Sequence, residues 1–435
     1  MKIQYIVYHY IYCIQDKTMP DFSLKTMHKV FRILHSDIRE SFANCNSNRL
    51  DSPMIRSIDS WMKLPLPADM RRCLLSEEKK TDNDYFPEKI QKHILNEQSV
   101  AITYNFNVGN RTVVLHFVLF NKRENNVNMH KMRVKARRVC ALLHLVSLHA
   151  SRATCSSALN IFIYMTEFKK LFPDETSKVL DSEHANTGLS YHCARNNDVV
   201  VYRKEEWFKV LIHELFHAFG LSFIDGDLPD GADAAMQSML KKTYAISHPV
   251  RIYETYCEIW ARILNAVFAC FSDGDGNDSK CADANCMNSD IELAVFGECV
   301  MKGLQKDAEH ALHQCAKIMH HMGIPSHVLL NPTDENRAIV FEKYRENTNV
   351  FAYYVLTCAL QHSHEIFLEW CYKNNPIIDK KPRANIMQFR TNWSNFNSFM
   401  EMLYHSKRRC PAVPNVLPYA VSGTSMRMTL PSATE

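Results

Sequence analysis

The most restrictive feature of the chain is the stretch at 205–219. Trp207, Phe208, Val210, Leu211, Ile212, Leu215, Phe216 and Phe219 leave almost no polar face, so a helix here has to be buried all round. The same stretch carries His213, Glu214 and His217. Burying two imidazoles and a carboxyl without compensation is costly, and a metal ion is one compensation. Two His at i and i+4 lie one turn apart on one helix face, so both rings reach a single ion. Glu214 is turned by about 100° from His213, which removes it from the ligand set and lets it face a water on the ion. In this HExxH arrangement Zn²⁺ acidifies the water and the Glu takes its proton. The competing reading is an amphipathic helix with two ordinary, partly buried His. In a chain with 21 His the motif alone is open to coincidence, and the apolar flanks are what favour the ion.

A third ligand is required. The extended HExxHxxGxxH pattern fails, because Gly220 is present but Phe223 stands at the last position. Gly220 then reads as the C-cap of the helix. Downstream, Glu254 and Glu258 fall on one face of a helix expected at 251–270, flanked by Ile252, Ile259 and Trp260. Glu254 is assigned as the ligand and Glu258 as the acid that orients a ligating His through its other ring nitrogen. The reverse assignment stays open, as does the reading of both as solvated helix carboxylates.

The surroundings predict a mixed sheet. Segments 99–108 and 111–120 are rich in β-branched and aromatic residues, and Gly109-Asn110 between them is a two-residue hairpin turn. A helix follows at 128–150, then strands at 159–166 and 199–202 on either side of a loop at 173–197. Further helices are expected at 291–322, 335–373 and 394–405, the last with Ser394 as N-cap. The basic run 131–138 reads as the solvated outer face of a sheet-covering helix rather than a nucleic-acid patch.

The segment 99–260, with its order of hairpin, helix, strand, edge strand, HExxH helix and Glu-bearing helix, resembles the zincin metallopeptidases, the gluzincin branch in particular. The stretch from Asn186-Thr187-Gly188 through the HExxH helix is also similar to uncharacterised HExxH proteins of large nucleocytoplasmic DNA viruses. The resemblance implies an α+β, zincin-like fold: a twisted mixed sheet with an active-site helix, and a mainly helical C-terminal subdomain. It implies a zinc-dependent endopeptidase acting on a peptide or protein substrate, with His213, His217 and Glu254 holding Zn²⁺, Glu214 as base and Glu258 behind the ligands. It further implies a viral protein acting in an infected cell. Zincins run substrate along an edge strand, for which 199–202 or the Asn186 to Gly188 segment are candidates. Tyr256, Tyr353, Tyr354 and His248 are candidates for contacting the oxyanion. The ExxxE pattern is looser than the signature of any one peptidase family. The alternative is a catalytically inactive scaffold or binding protein, against which the presence of Glu214 argues.

Composition bounds the rest. Apolar residues make up 46% and charged residues 23% of 435, which excludes a mostly disordered chain. Lys and Arg total 51 against 47 Asp and Glu, so no global field points to nucleic acid. No apolar stretch reaches the roughly 18 residues of a membrane span. Residues 1–90 have no legible fold; their first 14 residues suggest a buried strand, or a gene model that truly starts at Met19, rather than a signal peptide. The domain reading is 1–90, 91–224 with the HExxH helix, 225–410 with the third ligand, and a disordered tail at 411–435. The polar loop at 272–290 lacks the Gly and Glu of a calcium loop. Fifteen Cys without a CxxC pair suggest free thiols in a reducing, intracellular compartment. One of them, Cys193, is a candidate for blocking the metal in a latent form. Substrate preference and oligomeric state are not legible.

Overall fold

A computed structural model describes residues 24–45, 50, 52–76, 85–176, 178–271, 289–325, 328, 333–375, 384–409 and 423–431. It is a mixed α+β protein. Among the described residues a single six-stranded sheet has the order β1-β2-β3-β4-β6-β5. The strands are β1 Met54–Ile58, β2 Ser99–Val108, β3 Arg111–Phe120, β4 Ala158–Met165, β5 Gly188–Leu189 and β6 Asn196–Val201. The hairpin β2–β3 has the expected bounds, with Val108 opposite Arg111 and Gly109 at φ +59° in the turn. β3, β4 and β6 run parallel, and the two outer pairings are antiparallel.

Strand alternation builds two cores. Tyr104, Leu115, Ile161 and Val199 form one row across the sheet and point to the larger core. There the helices Met129–His149, Trp207–Ala218 and Ile252–Cys270 bury their apolar sides. Val118, Phe162, Tyr164 and Val200 point the other way, where Ile90 and Ile94 of helix Glu88–Asn96 cover them with Leu64 and Phe86. The region 1–90 is therefore not set apart. Its helix Leu24–Cys45 packs in the larger core, and β1 extends the sheet beside β2.

Several expectations need correction. The basic helix Met129–His149 does not present a solvated face throughout: Lys135 lies over Trp207 and Arg138 over Phe208, at 4.8 and 4.2 Å from the ring centres. The span 335–373 is not one helical run. Helix Asp334–Lys343 stops, and a π-helical turn Phe351–Leu356 leads into Thr357–Gln361 and His364–Asn374. The last long helix, Trp393–Arg409, is entered from Asn392, whose side chain accepts the Asn395 N–H at 2.8 Å, so Ser394 is not its cap.

The tail expected to be disordered packs at 423–431. Met426 and Met428 are buried, and Glu206 accepts the backbone N–H groups of Met428 and Thr429. Those hydrogen bonds fix a segment whose composition alone reads as loose. The remaining tail residues, the N-terminal 23 and the polar loop at 272–288 lie outside the described residues. Two disulfides, Cys155–Cys193 and Cys270–Cys299, stand against the expectation of free thiols throughout. Among the described residues no helix is long and apolar enough to cross a membrane.

Candidate metal centre

Helix Trp207–Ala218 is buried along its whole length, and two devices fix its C-terminal end. Gly220, at φ +65°, lets the chain turn so that Gly220 and Leu221 donate to the carbonyls of His217 and Phe216. The Cys155–Cys193 disulfide sits against the same turn, and a Cβ on Gly220 would meet its atoms at 3.4 Å. Ser156 Oγ closes the end by donating to the Ala218 carbonyl. The imidazoles of His213 and His217 are thus presented from a backbone with little freedom.

Helix Ile252–Cys270 packs alongside and brings in Glu254 and Glu258. His213 Nε2 lies 2.9 Å from Glu254 Oε2, His217 Nε2 lies 3.4 Å from the same oxygen, and the two Nε2 atoms are 3.3 Å apart. Four donors about 2.0–2.1 Å from a zinc ion would be separated by about 3.3 Å, so the three atoms have the spacing of one face of a tetrahedral site. All three side chains are buried, yet they line one cavity of ≈ 230 Å³. The donor set, two imidazoles and a carboxylate, suits a divalent transition ion, zinc among them.

Glu258 stands on the far side of the His213 ring. Its Oε2 is 3.3 Å from His213 Nδ1, an ion-pair distance rather than an aligned hydrogen bond. The same carboxylate takes Lys209 Nζ at 2.9 and 3.0 Å and Arg262 Nε at 3.1 Å, and Arg262 continues to Asp307 at 3.2 Å. Glu254 therefore shares the triangle with the two rings, and Glu258 orients one of them from behind. Sequence reasoning missed Lys209 as its partner. The signal was a lone Lys in an otherwise apolar helix, which has to find an acid when buried.

The electrostatics are those of a site that gathers positive charge. Burial opposes protonation of His213, but Glu254 and Glu258 overrule it and carry the ring up to about 10. Burial opposes the His217 cation as well, and Cys257 and Glu254 overrule it. For Glu254 burial favours the neutral acid, but the two imidazoles hold the carboxyl well below the usual carboxylate range. An ion would bring the same positive charge in place of the protons. Glu214 differs, since its burial outweighs the pull of both His and raises its carboxyl.

Glu214 lines the same cavity, and its Oε2 accepts a hydrogen bond from Ser190 Oγ at 2.8 Å. Ser190 was not foreseen. It follows edge strand β5, whose Gly188 presses on the motif helix: a Cβ there would lie 2.8 Å from Val210 Cγ1 and 3.0 Å from Glu214 Cγ. The edge beside the site is thus the 186–190 segment, while β6, carrying 199–201, is interior. Asn186 also lines the cavity, with its side-chain oxygen accepting from Thr348 Oγ1 at 2.9 Å.

Of the Tyr and His candidates only Tyr353 reaches the site. Its hydroxyl donates to Glu254 Oε2 at 3.2 Å, from the π-helical turn. Tyr256 points away, donating to the Met387 carbonyl at 2.8 Å within a cluster containing Phe223, Phe389 and Phe399. It stands two residues from Glu254, about 200° around the helix and so on the opposite face. Tyr354 donates to the Met426 carbonyl, and His248 pairs with Glu346 at 2.9 Å. Cys193 is held in its disulfide and is not a thiol facing the donors.

No protein-family model, curated protein or solved structure matches this chain.

Proposed function

We propose that the protein is a zinc-dependent metallopeptidase, built on gluzincin lines, that hydrolyses peptide bonds with Glu214 as general base. One observation carries the reading: three donor atoms from two helices stand at tetrahedral spacing, beside a buried carboxyl that is not one of them. His213, His217 and Glu254 would hold the ion. When bound, zinc supplies Lewis acidity, polarising a carbonyl and lowering the pKa of water.

The chain's own groups do the rest. Glu214, kept in place by Ser190, accepts a proton from the attacking water and delivers it to the departing amine. Its raised affinity for protons suits that exchange. The Tyr353 hydroxyl, at the rim of the donor triangle, is the group placed to donate to the developing oxyanion. The outer edge of β5, which lines the cavity, would offer backbone groups to an extended substrate.

The test is Glu214→Gln. Zinc content should equal that of the wild type, and hydrolysis of a mixed peptide library should fall by about 10²–10⁴-fold. Equal zinc with hydrolysis in neither protein would sink the peptidase and leave a metal-holding scaffold. No zinc in either would remove both readings.

A further inference from the structure

We propose that Cys45, Cys140 and His144 form a second metal site, for a thiophilic ion of the zinc class. The three residues lie away from the cavity. Cys45 ends helix Leu24–Cys45, and Cys140 and His144 are one turn apart on helix Met129–His149. Their donor atoms all lie within 4.8 Å of one another. Donors at about 2.3 Å for sulfur and 2.0–2.1 Å for nitrogen would be spaced by about 3.5–3.8 Å, and closing to that spacing exchanges the Cys45 thiol's bond to the Ser41 carbonyl, now 3.1 Å, for the ion. The plan matches that of the first centre: an i, i+4 pair on one helix and a third donor from its neighbour.

The chemistry of the set is specific. Two thiolates and an imidazole are soft donors that favour zinc-class ions over magnesium or calcium. Both cysteines are buried and neither belongs to a disulfide. His144 is half-buried, which gives an ion a path inward. The two helices are already pinned, because His149 Nε2 meets Asp37 Oδ2 at 2.9 Å and Asn385 bonds the same ring from the other side. The donors are therefore held together before any ion arrives. On binding, each thiol gives up one proton to solvent, and the ion takes the place of both.

Cobalt separates this centre from the first, whose donors include no sulfur. The full chain is purified under reducing conditions, stripped with chelator and titrated with Co²⁺, then with Zn²⁺. Wild type should show thiolate-to-cobalt charge-transfer absorption and take up two zinc ions per chain. Cys140→Ser and His144→Ala should each lose or strongly weaken that absorption and fall to one zinc. His217→Ala should keep the absorption and lose the other zinc. His144→Ala changes a half-buried residue, so it serves if the core Cys140→Ser variant fails to fold. The proposal is overturned if wild type lacks the charge-transfer band, if the band survives His144→Ala undiminished, or if reduced wild type binds no more zinc than His144→Ala. A Cys45–Cys140 disulfide that persists under reductant would overturn it as well.

Discussion

The two sides of the His213 ring are built on opposite principles. On the Nε2 side, His217 and Glu254 face the same small volume across a cavity, and the donors neutralise one another only by holding protons. On the Nδ1 side, Glu258 is enclosed by Lys209 and Arg262, and Arg262 is matched by Asp307. On the proposed reading the first side takes up added positive charge, whereas the second is matched by cations of the protein. Two glutamates one helical turn apart thus take separate roles, set by whether cations of the protein reach them.

That contrast can be broken most forcefully at Glu258. Glu258→Gln takes the bonded carboxylate from buried Lys209 and leaves Arg262 with Asp307 alone, and removing one member of such a network costs about 3–5 kcal/mol. The loss should appear as a reduced denaturation midpoint in urea. Zinc affinity should also fall by about 10–100-fold, as for other groups that orient a ligating His. Glu254→Gln should do the reverse, abolishing zinc retention while costing less stability. Equal stability losses from the two substitutions would refute the distinction.

Gly188→Ala comes next. Its Cβ would press on the Val200 carbonyl and Val210 at 2.8 Å, so strand or helix must shift. Overpacking of this kind costs about 1–3 kcal/mol. If the 186–190 edge receives substrate, kcat/KM should fall more than melting stability predicts. Tyr353→Phe is of the same order. It removes one hydrogen bond to a buried carboxylate, about 1.5–3 kcal/mol at most. We expect kcat to drop with zinc content unchanged.

The smallest effect at neutral pH, and the one that grows in acid, concerns Glu206. Burial opposes its ionisation, but Lys170, Lys209 and Arg427 hold its carboxyl well below the usual carboxylate range. A depressed folded value means that the ionised form stabilises the fold above the unfolded value of about 4.5. That stabilisation declines as pH falls below 4.5 and vanishes only beneath the folded value. Backbone amides at 428 and 429 should therefore exchange faster with deuterium as pH drops below 4.5, after correction for intrinsic rates. Unchanged protection across that range would contradict it.

How much of this was legible depended on whether the signal was local. The hairpin was, because β-branched runs flank a Gly-Asn turn. So was the paired-His helix, and Glu254 with it, since i and i+4 spacings survive in the sequence. β1 was not, because an outer strand whose residues are mostly exposed carries little alternation. Tyr353 could not be singled out, since a π-helical turn shifts register in a way no residue type announces; Tyr256 was excluded by its spacing, two residues from Glu254 on an α-helix. The pairing of Lys209 with Glu258 and the seating of Met428 join distant segments, and composition holds no record of such contacts.

The segment around Met428 has a temporal consequence. Met428 forms part of the cavity wall, with its sulfur 3.4 Å from Lys209 Nζ, and its backbone helps to satisfy Glu206 beneath the motif helix. On the ribosome, both histidines and both glutamates emerge long before this residue does. A nascent chain therefore exposes its donors before their wall, which is finished only once residue 428 has itself left the ribosome.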